Sequence, residues 1–395
     1  MDTNLAPITT SAELADFCAA LADSAFVTVD TEFLRETTFW PKLCLVQLAG
    51  PDQARVIDPL AEGIDLEPLF ALMRNRAVLK VFHAARQDLE IFVKLMGEVP
   101  APLFDTQVAA MVCGFGDQVS YETLATKLAN GQIDKSSRFT DWSRRPLTEK
   151  QIRYALSDVT YLRKVYEKLD ARLRKNARAE WLDAEMATLN DPATYDLPPL
   201  EAWRRLRPRT TRPEYLAALQ AVAAWRELEA RNRDIPRQRI LRDEAAMEIA
   251  AHPPKSAEDL GHIRGLSKGF AEGKMGQGLL AAIQARLAEP RETFPVVERE
   301  AELPRGIGPL VELLKVLLKL KCDEHDVAQK LVASSSDLDK IAADDKADVP
   351  AMQGWRREVF GNDALRLKHG ELALAAQASG QGANQSTRIK LVELK

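Results

Sequence analysis

Asp30 and Glu32 stand two residues apart at the end of Ala25-Phe26-Val27-Thr28-Val29, an apolar, β-branched run that reads as a buried strand. Residues two apart on a strand share a face. The two carboxylates therefore point the same way, and they repel unless a cation or a shared proton compensates. The pair is a candidate metal site, for which other parts of the chain must supply further ligands.

Two more carboxylates stand out by context. Asp88 lies in His83-Ala84-Ala85-Arg86-Gln87-Asp88-Leu89, in the first turns of a helix that follows a strand. Asp158 follows Tyr154 by four residues, so the two stack on one helical face. Thr148-Glu149-Lys150-Gln151 opens that helix with a capping box. Ile152, Leu156, Val159 and Leu162 give it an apolar surface. Each carboxylate alone is an ordinary turn or cap residue. The set, in this order within one stretch, can hold two divalent cations roughly 4 Å apart. Hard oxygen ligands select Mg²⁺ or Mn²⁺. Such a pair of ions activates a water and stabilises the attacking and leaving oxygens of a phosphodiester. Tyr154, with an ordinary phenol pKa near 10, suits orienting that water better than deprotonating it. His83, at a strand end, reads as a structural hydrogen-bonding residue.

The elements that must position these groups follow from the apolar pattern. Residues 25–33, 43–48 and 55–57 read as three strands of an antiparallel meander. A helix over 66–73, a strand over 78–82 and a helix over 85–95 come next, and the chain from Asp105 to about 188 reads as mainly helical. This α/β module spans 1–190. Asn190-Asp191-Pro192 and Leu197-Pro198-Pro199 mark a linker over 191–209. A helical region is expected over 210–290, a second linker over 291–308 and a second helical region over 309–376. The tail, 377–395, is rich in Gly, Gln, Ala and Ser and is expected to be disordered. The two helical regions read as a diverged repeat: a shift of 92 residues lays Asp234-Ile235 on Asp326-Val327, and Ile249-Ala250 on Ile341-Ala342.

Composition narrows the function classes. The 395-residue chain is too long for one core, and its net charge of −4 gives no general affinity for nucleic acid. The distribution of charge does: residues 1–60 hold nine Asp/Glu against three Lys/Arg, whereas 201–242 hold eleven Arg against five Asp/Glu. Arginine suits phosphate, and with Trp203 and Trp225 this region is expected to extend a track for RNA. No apolar run nears the roughly 18–20 residues that span a bilayer, and the start carries no signal pattern. The four cysteines are scattered, without metal-ligand or disulfide spacing, which fits a reducing cytoplasm. No G-x-G-x-x-G follows an early strand, which argues against a dinucleotide-binding dehydrogenase.

Val29-Asp30-Thr31-Glu32-Phe33, Phe82-His83-Ala84 with Gln87-Asp88-Leu89, and Tyr154-Ala155 with Asp158-Val159 and Tyr161-Leu162 resemble the three exonuclease motifs of the DEDD superfamily, in its tyrosine subclass. Phe39-Trp40-Pro41, Leu45-Val46-Gln47-Leu48, Ile57-Asp58-Pro59-Leu60, Asp105-Thr106-Gln107, Asp134-Lys135-Ser136 and Asp141-Trp142-Ser143-Arg144-Arg145-Pro146-Leu147 bring the likeness to the bacterial ribonuclease D family. The helical regions resemble that family's tandem HRDC domains. The resemblance implies a ribonuclease H-like α/β exonuclease domain followed by two all-α HRDC-like domains. It implies metal ligands at Asp30, Glu32, Asp88 and Asp158, and a water-positioning tyrosine at Tyr154. It also implies a 3′-to-5′ exoribonuclease that trims precursor transfer RNA and other structured RNA and releases 5′-mononucleotides. A monomer is expected. Lys135 and Arg145 are the expected phosphate contacts, in a basic stretch whose aromatic, Trp142, is a further expected RNA contact; Phe33 and Phe39 are the expected wedges under a terminal base. A DNA-directed exonuclease and a non-catalytic nucleic-acid-binding protein are the alternatives. The complete carboxylate set argues against the second, and the helical repeats against the first.

Overall fold

The computed structural model describes residues 2–134, 140–208, 210–297, 303–379 and 386–394. Its first 190 residues are built on a six-stranded mixed sheet. The strands are β1 (Asp2–Thr3), β2 (Phe26–Leu34), β3 (Lys42–Ala49), β4 (Gln53–Ile57), β5 (Leu79–Phe82) and β6 (Leu103–Asp105), in the order β1-β4-β3-β2-β5-β6. β2, β3 and β4 form the expected antiparallel meander, and β5 and β6 extend it in parallel from β2. This is the ribonuclease H-like sheet that the resemblance implies.

Strand alternation sorts the side chains of β2. Val27 and Val29 pack into an apolar layer with Leu14, Leu69, Leu89 and Phe92, which belong to α1 (Ser11–Leu21), α2 (Glu67–Arg74) and α3 (Arg86–Met96). Thr28, Asp30 and Glu32 face the other way. α4 (Thr106–Val112), α5 (Tyr121–Ala129) and the long α6 (Glu149–Lys175) complete the domain. α6 lies on this second face, where the Thr28 hydroxyl donates to the Val159 carbonyl at 2.8 Å. The predicted capping box starts α6: Thr148 Oγ1 accepts from Gln151 N–H, and Gln151 Oε1 accepts from Thr148 N–H. β5 pairs with β2 only from Phe26 to Thr28, so β2 runs on past its neighbour. Asp30 and Glu32 sit on that overhang.

The 92-residue repeat is visible in the backbone. Helix Pro213–Arg233 ends at Asp234, in the left-handed region with φ +49°, and helix Gly308–His325 ends at Asp326 with φ +51°. Helices Arg237–Ile240 and Asp243–Ala251 reappear as Gln329–Val332 and Ser335–Ala343, at that same offset. The copies then diverge in spacing: the first closes with helix Lys274–Leu287, the second with an unbroken helical stretch from Gly354 to Lys368 that contains a π segment over Arg357–Gly361. Each left-handed Asp docks its region on the exonuclease domain. Asp234 Oδ1 accepts from the backbone N–H groups of Phe39 and Trp40 at 3.1 and 3.0 Å. Asp326 pairs with Arg172, and its carbonyl accepts from Arg178. Gly114 makes room for that second contact: its φ is +77°, and a Cβ there would lie 1.9 Å from Asp326 Oδ1. Trp181 and Trp355 stack at 4.1 Å across the same junction.

The tail corrects one expectation. Leu372–Ser379 pairs antiparallel with Ser386–Glu393 in a two-stranded ribbon, β7 and β8. The small polar composition hid the alternation Arg388-Ile389-Lys390-Leu391, which a ribbon with one wet face requires. Among the described residues, no helix is long and apolar enough to cross a membrane.

Replacing Asp234 with Ala removes one acceptor from two N–H groups and puts a Cβ-bearing residue without local polar compensation at positive φ. A loss of about 2 kcal/mol in urea unfolding is expected, against about 1 kcal/mol for Asp234→Asn, which keeps an acceptor and tolerates the left-handed backbone. Equal losses for the two variants would refute the docking role of the carboxylate.

Candidate active site

The strand overhang and α6 bring three of the predicted carboxylates together. One oxygen from each of Asp30, Glu32 and Asp158 lies within 4.8 Å of the others. Asp30 and Glu32 are half-buried on β2, and Asp158 is buried on α6. Asp88 reaches the site from the opposite layer, at the first turn of α3. It is buried and accepts a hydrogen bond from the hydroxyl of Thr31, whose side chain points away from Asp30 and Glu32. The predicted set thus divides into a triad and a fourth carboxylate held one strand face away.

The electrostatics follow. Burial raises the Asp30 carboxyl well above its ordinary range; Asp158 adds to this and the Thr31 N–H works against it. Glu32 is pushed up to about 10, first by burial, then by Asp30, Asp158 and Asp88. Asp88 is raised by burial and by Asp30, partly offset by the Thr31 hydroxyl. Carboxyls held neutral at ordinary pH for want of a counter-charge are the donor set of a cation site. Oxygen ligands alone fit a hard divalent cation.

Tyr154 lies one turn before Asp158. Its hydroxyl is raised well above the phenol range by burial, by Asp158, Glu32 and Asp30, and by a hydrogen bond to Asp158. It therefore stays protonated and acts as a hydrogen-bonding group. A cavity of about 250 Å³ opens beside it, lined by Asp30, Asp158, Tyr154, His83 and Tyr121 among others. The sequence reading missed Tyr121. It is the first residue of α5 behind the N-cap Ser120, and its hydroxyl donates to the Ser157 carbonyl at 3.0 Å. Only the Ser-x-x-Thr start of α5 marked that position. His83 has the structural role expected: Nδ1 lies 3.0 Å from Thr106 Oγ1, and burial lowers its pKa. Gln47 was quoted only as part of a motif. It lies opposite Asp30 in the β2–β3 register, is fully buried, and neither amide atom has a partner among the described residues.

Several expected RNA contacts sit elsewhere. Trp142 is 2 % exposed, in the apolar layer with Leu45, Ile152 and Ala155, its ring 6.1 Å from that of Tyr154. It supports Tyr154 from below and offers no stacking surface. Arg145 holds Asp58 through two hydrogen bonds of 2.6 Å and also donates to the carbonyls of Cys44 and Trp142. It pins the loop before α6, and its guanidinium is spent on that. Phe33, half-buried beside Glu32, packs on the α1–α3 layer. Lys135 lies outside the described residues. Five arginines of the arginine-rich stretch are held in ion pairs: Arg226 with Asp243, Arg231 and Arg237 with Glu227, Arg204 with Glu201, and Arg233 with Glu229. Trp203 and Trp225 are buried in the core of the first helical region. Helical periodicity cannot tell a solvent-facing tryptophan from a core one when alanines flank both.

Comparison with known proteins gives a consistent result. The family model described as 3′-5′ exonuclease matches residues 5–174, and that described as HRDC domain matches 216–283. A protein named Ribonuclease D from Granulibacter bethesdensis is 55 % identical over 368 residues, 93 % of each chain. Another, from Acidiphilium cryptum, is 55 % identical over 387 residues, 98 % of this chain and 97 % of that one. Among solved structures, Escherichia coli RNase D, described as an exoribonuclease involved in structured RNA processing, is 30 % identical. It matches with a TM-score of 0.77 over 94 % of this chain and 99 % of its own.

The raised carboxyls predict an inverted pH dependence of stability. Glu32 loses its proton near 4.5 when unfolded but near 10 when folded, so between those values the folded chain binds more protons than the unfolded one. Metal-free stability then falls as pH rises across that window, and a divalent cation, by replacing the protons, removes the fall. Urea midpoints taken near pH 5 and near pH 9, with and without Mg²⁺, check this. A metal-free midpoint that rises with pH, matched by the one with Mg²⁺, contradicts it.

Proposed function

The chain belongs to the ribonuclease D family, and from that membership we propose that it is a metal-dependent 3′-to-5′ exoribonuclease. Its substrates are the 3′ ends of precursor transfer RNA and other structured RNA, and its products 5′-mononucleotides. The observation that carries the reading is the convergence of Asp30, Glu32 and Asp158 within 4.8 Å, beneath a tyrosine bonded to Asp158 and inside the exonuclease-matched segment.

Asp30, Glu32 and Asp158 would hold one divalent cation, and Asp30 with Asp88 a second, Mg²⁺ or Mn²⁺ in either case. When bound, the two ions activate a water and neutralise charge on the attacking and leaving oxygens. The chain's own residues set the geometry. Tyr154 keeps its proton and orients the attacking water, because three carboxylates and burial hold its hydroxyl far from ionisation. Trp142 fixes the Tyr154 ring from beneath. Thr31 holds Asp88 within reach of the strand that carries the triad. Two features support a cytoplasmic setting: the four cysteines are all free and buried, and no described helix suits a membrane. The matched 92-residue offset supports assigning 309–376 as a second HRDC-like domain after the first, at 210–290.

Digestion of matched single-stranded RNA and DNA in Mg²⁺ tests the substrate and the site together. Asp30→Asn is expected to lower the rate by ~10³-fold or more, since it removes a ligand shared by both ions. Cleavage surviving at a similar rate would remove the two-ion assignment, and faster loss of DNA than of RNA would overturn the substrate. Tyr154→Phe is expected to cost on the order of 10²-fold in kcat while leaving Mn²⁺ affinity, read by calorimetry, near that of the native chain. A loss of Mn²⁺ affinity equal to that of Asp30→Asn would refute the orienting role.

A further inference from the structure

A second concave site lies at the seam between the exonuclease domain and the first helical region. It is a cavity of about 250 Å³, distinct from the catalytic one in its lining. Five guanidinium groups line it: Arg35 and Arg86 from the exonuclease side, and Arg205, Arg231 and Arg237 from the helical side. Two carboxylates line the cavity with them, Glu90 and Glu227, and a third, Asp196, accepts from Arg231 at 2.9 Å. Glu90 is taken by Arg35 through two hydrogen bonds of 2.7 and 2.8 Å. Glu227, its side chain 1 % exposed, is shared by Arg231 and Arg237. Arg86 and Arg205 make no ion pair within 4 Å among the described residues. Burial presses the Arg205 guanidinium downward; Arg237 and Arg231 add to this, and the more distant Glu227 and Glu90 work against it. Like charges gathered in a concave site are stable once an anion enters it.

Two further features fix what kind of anion. Arg86 and Gln87, the first two residues of α3, line the same wall, and Asp105 accepts from the Ala84 and Ala85 N–H groups just before them. Planar guanidinium groups match a phosphate. The place matters as well. Arg35 follows Glu32 by three residues, about 10 Å of extended chain, and Arg86 precedes Asp88 by two. Two of the three elements that carry the carboxylates, β2 and α3, thus lead to this cavity, which shares no lining residue with the one beside Tyr154.

We propose that this seam pocket is a phosphate site for the substrate strand, taking a backbone phosphodiester upstream of the nucleotide being removed, with Arg86 and Arg205 as its free donors. This rests on the exoribonuclease reading above and gives the first helical region a direct share in holding RNA. Arg231 and Arg237, already anchored on Glu227, keep the pocket's shape and its field.

The test uses the full chain carrying Asp30→Asn, so that RNA is bound without being cut. Affinity for a labelled single-stranded RNA is measured against KCl concentration, where each phosphate neutralised contributes about −0.7 to the logarithmic slope. Arg205→Ala is expected to weaken binding on the order of 10-fold and to make the slope shallower by about 0.7. Arg86→Ala should do the same. The double variant should cost less than the sum, because both donors serve one phosphate. Arg76→Ala, an exposed cation at the far end of β5, serves as the control and should leave the slope unchanged. An unchanged slope for Arg205→Ala in a chain that melts normally overturns the proposal, as does an equal effect of Arg76→Ala. Stabilisation by inorganic phosphate that depends on Arg205, with no change in the RNA slope, would overturn the strand assignment in favour of a free anion. The exoribonuclease reading fails separately, if the chain with native Asp30 binds RNA and does not cut it.

Discussion

Like charges set the terms for this fold. Three carboxylates whose oxygens lie within 4.8 Å of one another repel at any pH at which they ionise, and a loose scaffold would let them splay apart. The surroundings prevent that from two sides. Asp30 and Glu32 are rows of one strand, paired residue by residue with β3, and cannot separate without breaking that ladder. Asp158 is fixed by α6, which is capped at its start, tied to β2 by the Thr28 hydroxyl, and backed by the layer that holds Trp142, Ile152 and Val159. The Arg145–Asp58 pair anchors the loop that delivers α6 to this place. Core burial thus offsets the cost of a cluster that would weaken the protein if it stood alone.

The helical regions attach by a common device used on different targets. An aspartate in the left-handed conformation ends the first helix of each. In one copy it accepts from the Phe39 and Trp40 amides; in the other it pairs with Arg172 next to Gly114. The repeat is therefore a repeat of chain path, with the docking residue kept and its partner changed. The same economy governs the arginines of the first region. Five are committed to Glu201, Glu227, Glu229 and Asp243, so the local count of positive residues overstates the number free for a ligand.

Two pairings within the candidate site were legible in the sequence because each depends on local spacing alone. Alternation put Asp30 and Glu32 on one face, and a helical turn put Tyr154 beside Asp158. The meander was legible for the same reason. Two classes of feature were not. Short or diluted elements escaped: β6 spans three residues, and α1 is so rich in alanine that its apolar stripe is faint. Contacts between distant segments escaped as well. Nothing local distinguishes Arg145, which is held by Asp58, from an arginine awaiting phosphate, or Trp142 in a core from Trp142 on a surface. Tyr121 reaches the cavity only because α5 packs against α6, a tertiary fact with no periodic signature.

One apolar cluster ignores the domain boundary. Val112, Leu124 and Leu169 of the exonuclease domain belong to the same buried group as Leu314, Leu331 and Phe360. Some two hundred residues separate Val112 from Leu314, which at ordinary synthesis rates is about 10–40 s of translation. Through that interval the α4 side chains of this cluster lack their partners from the second helical region, and the Met111 carbonyl lacks the Ala328 N–H that donates to it at 2.9 Å. The first domain thus shares its core with the second helical region, and apolar faces of α4 and α6 are closed by residues far along the chain.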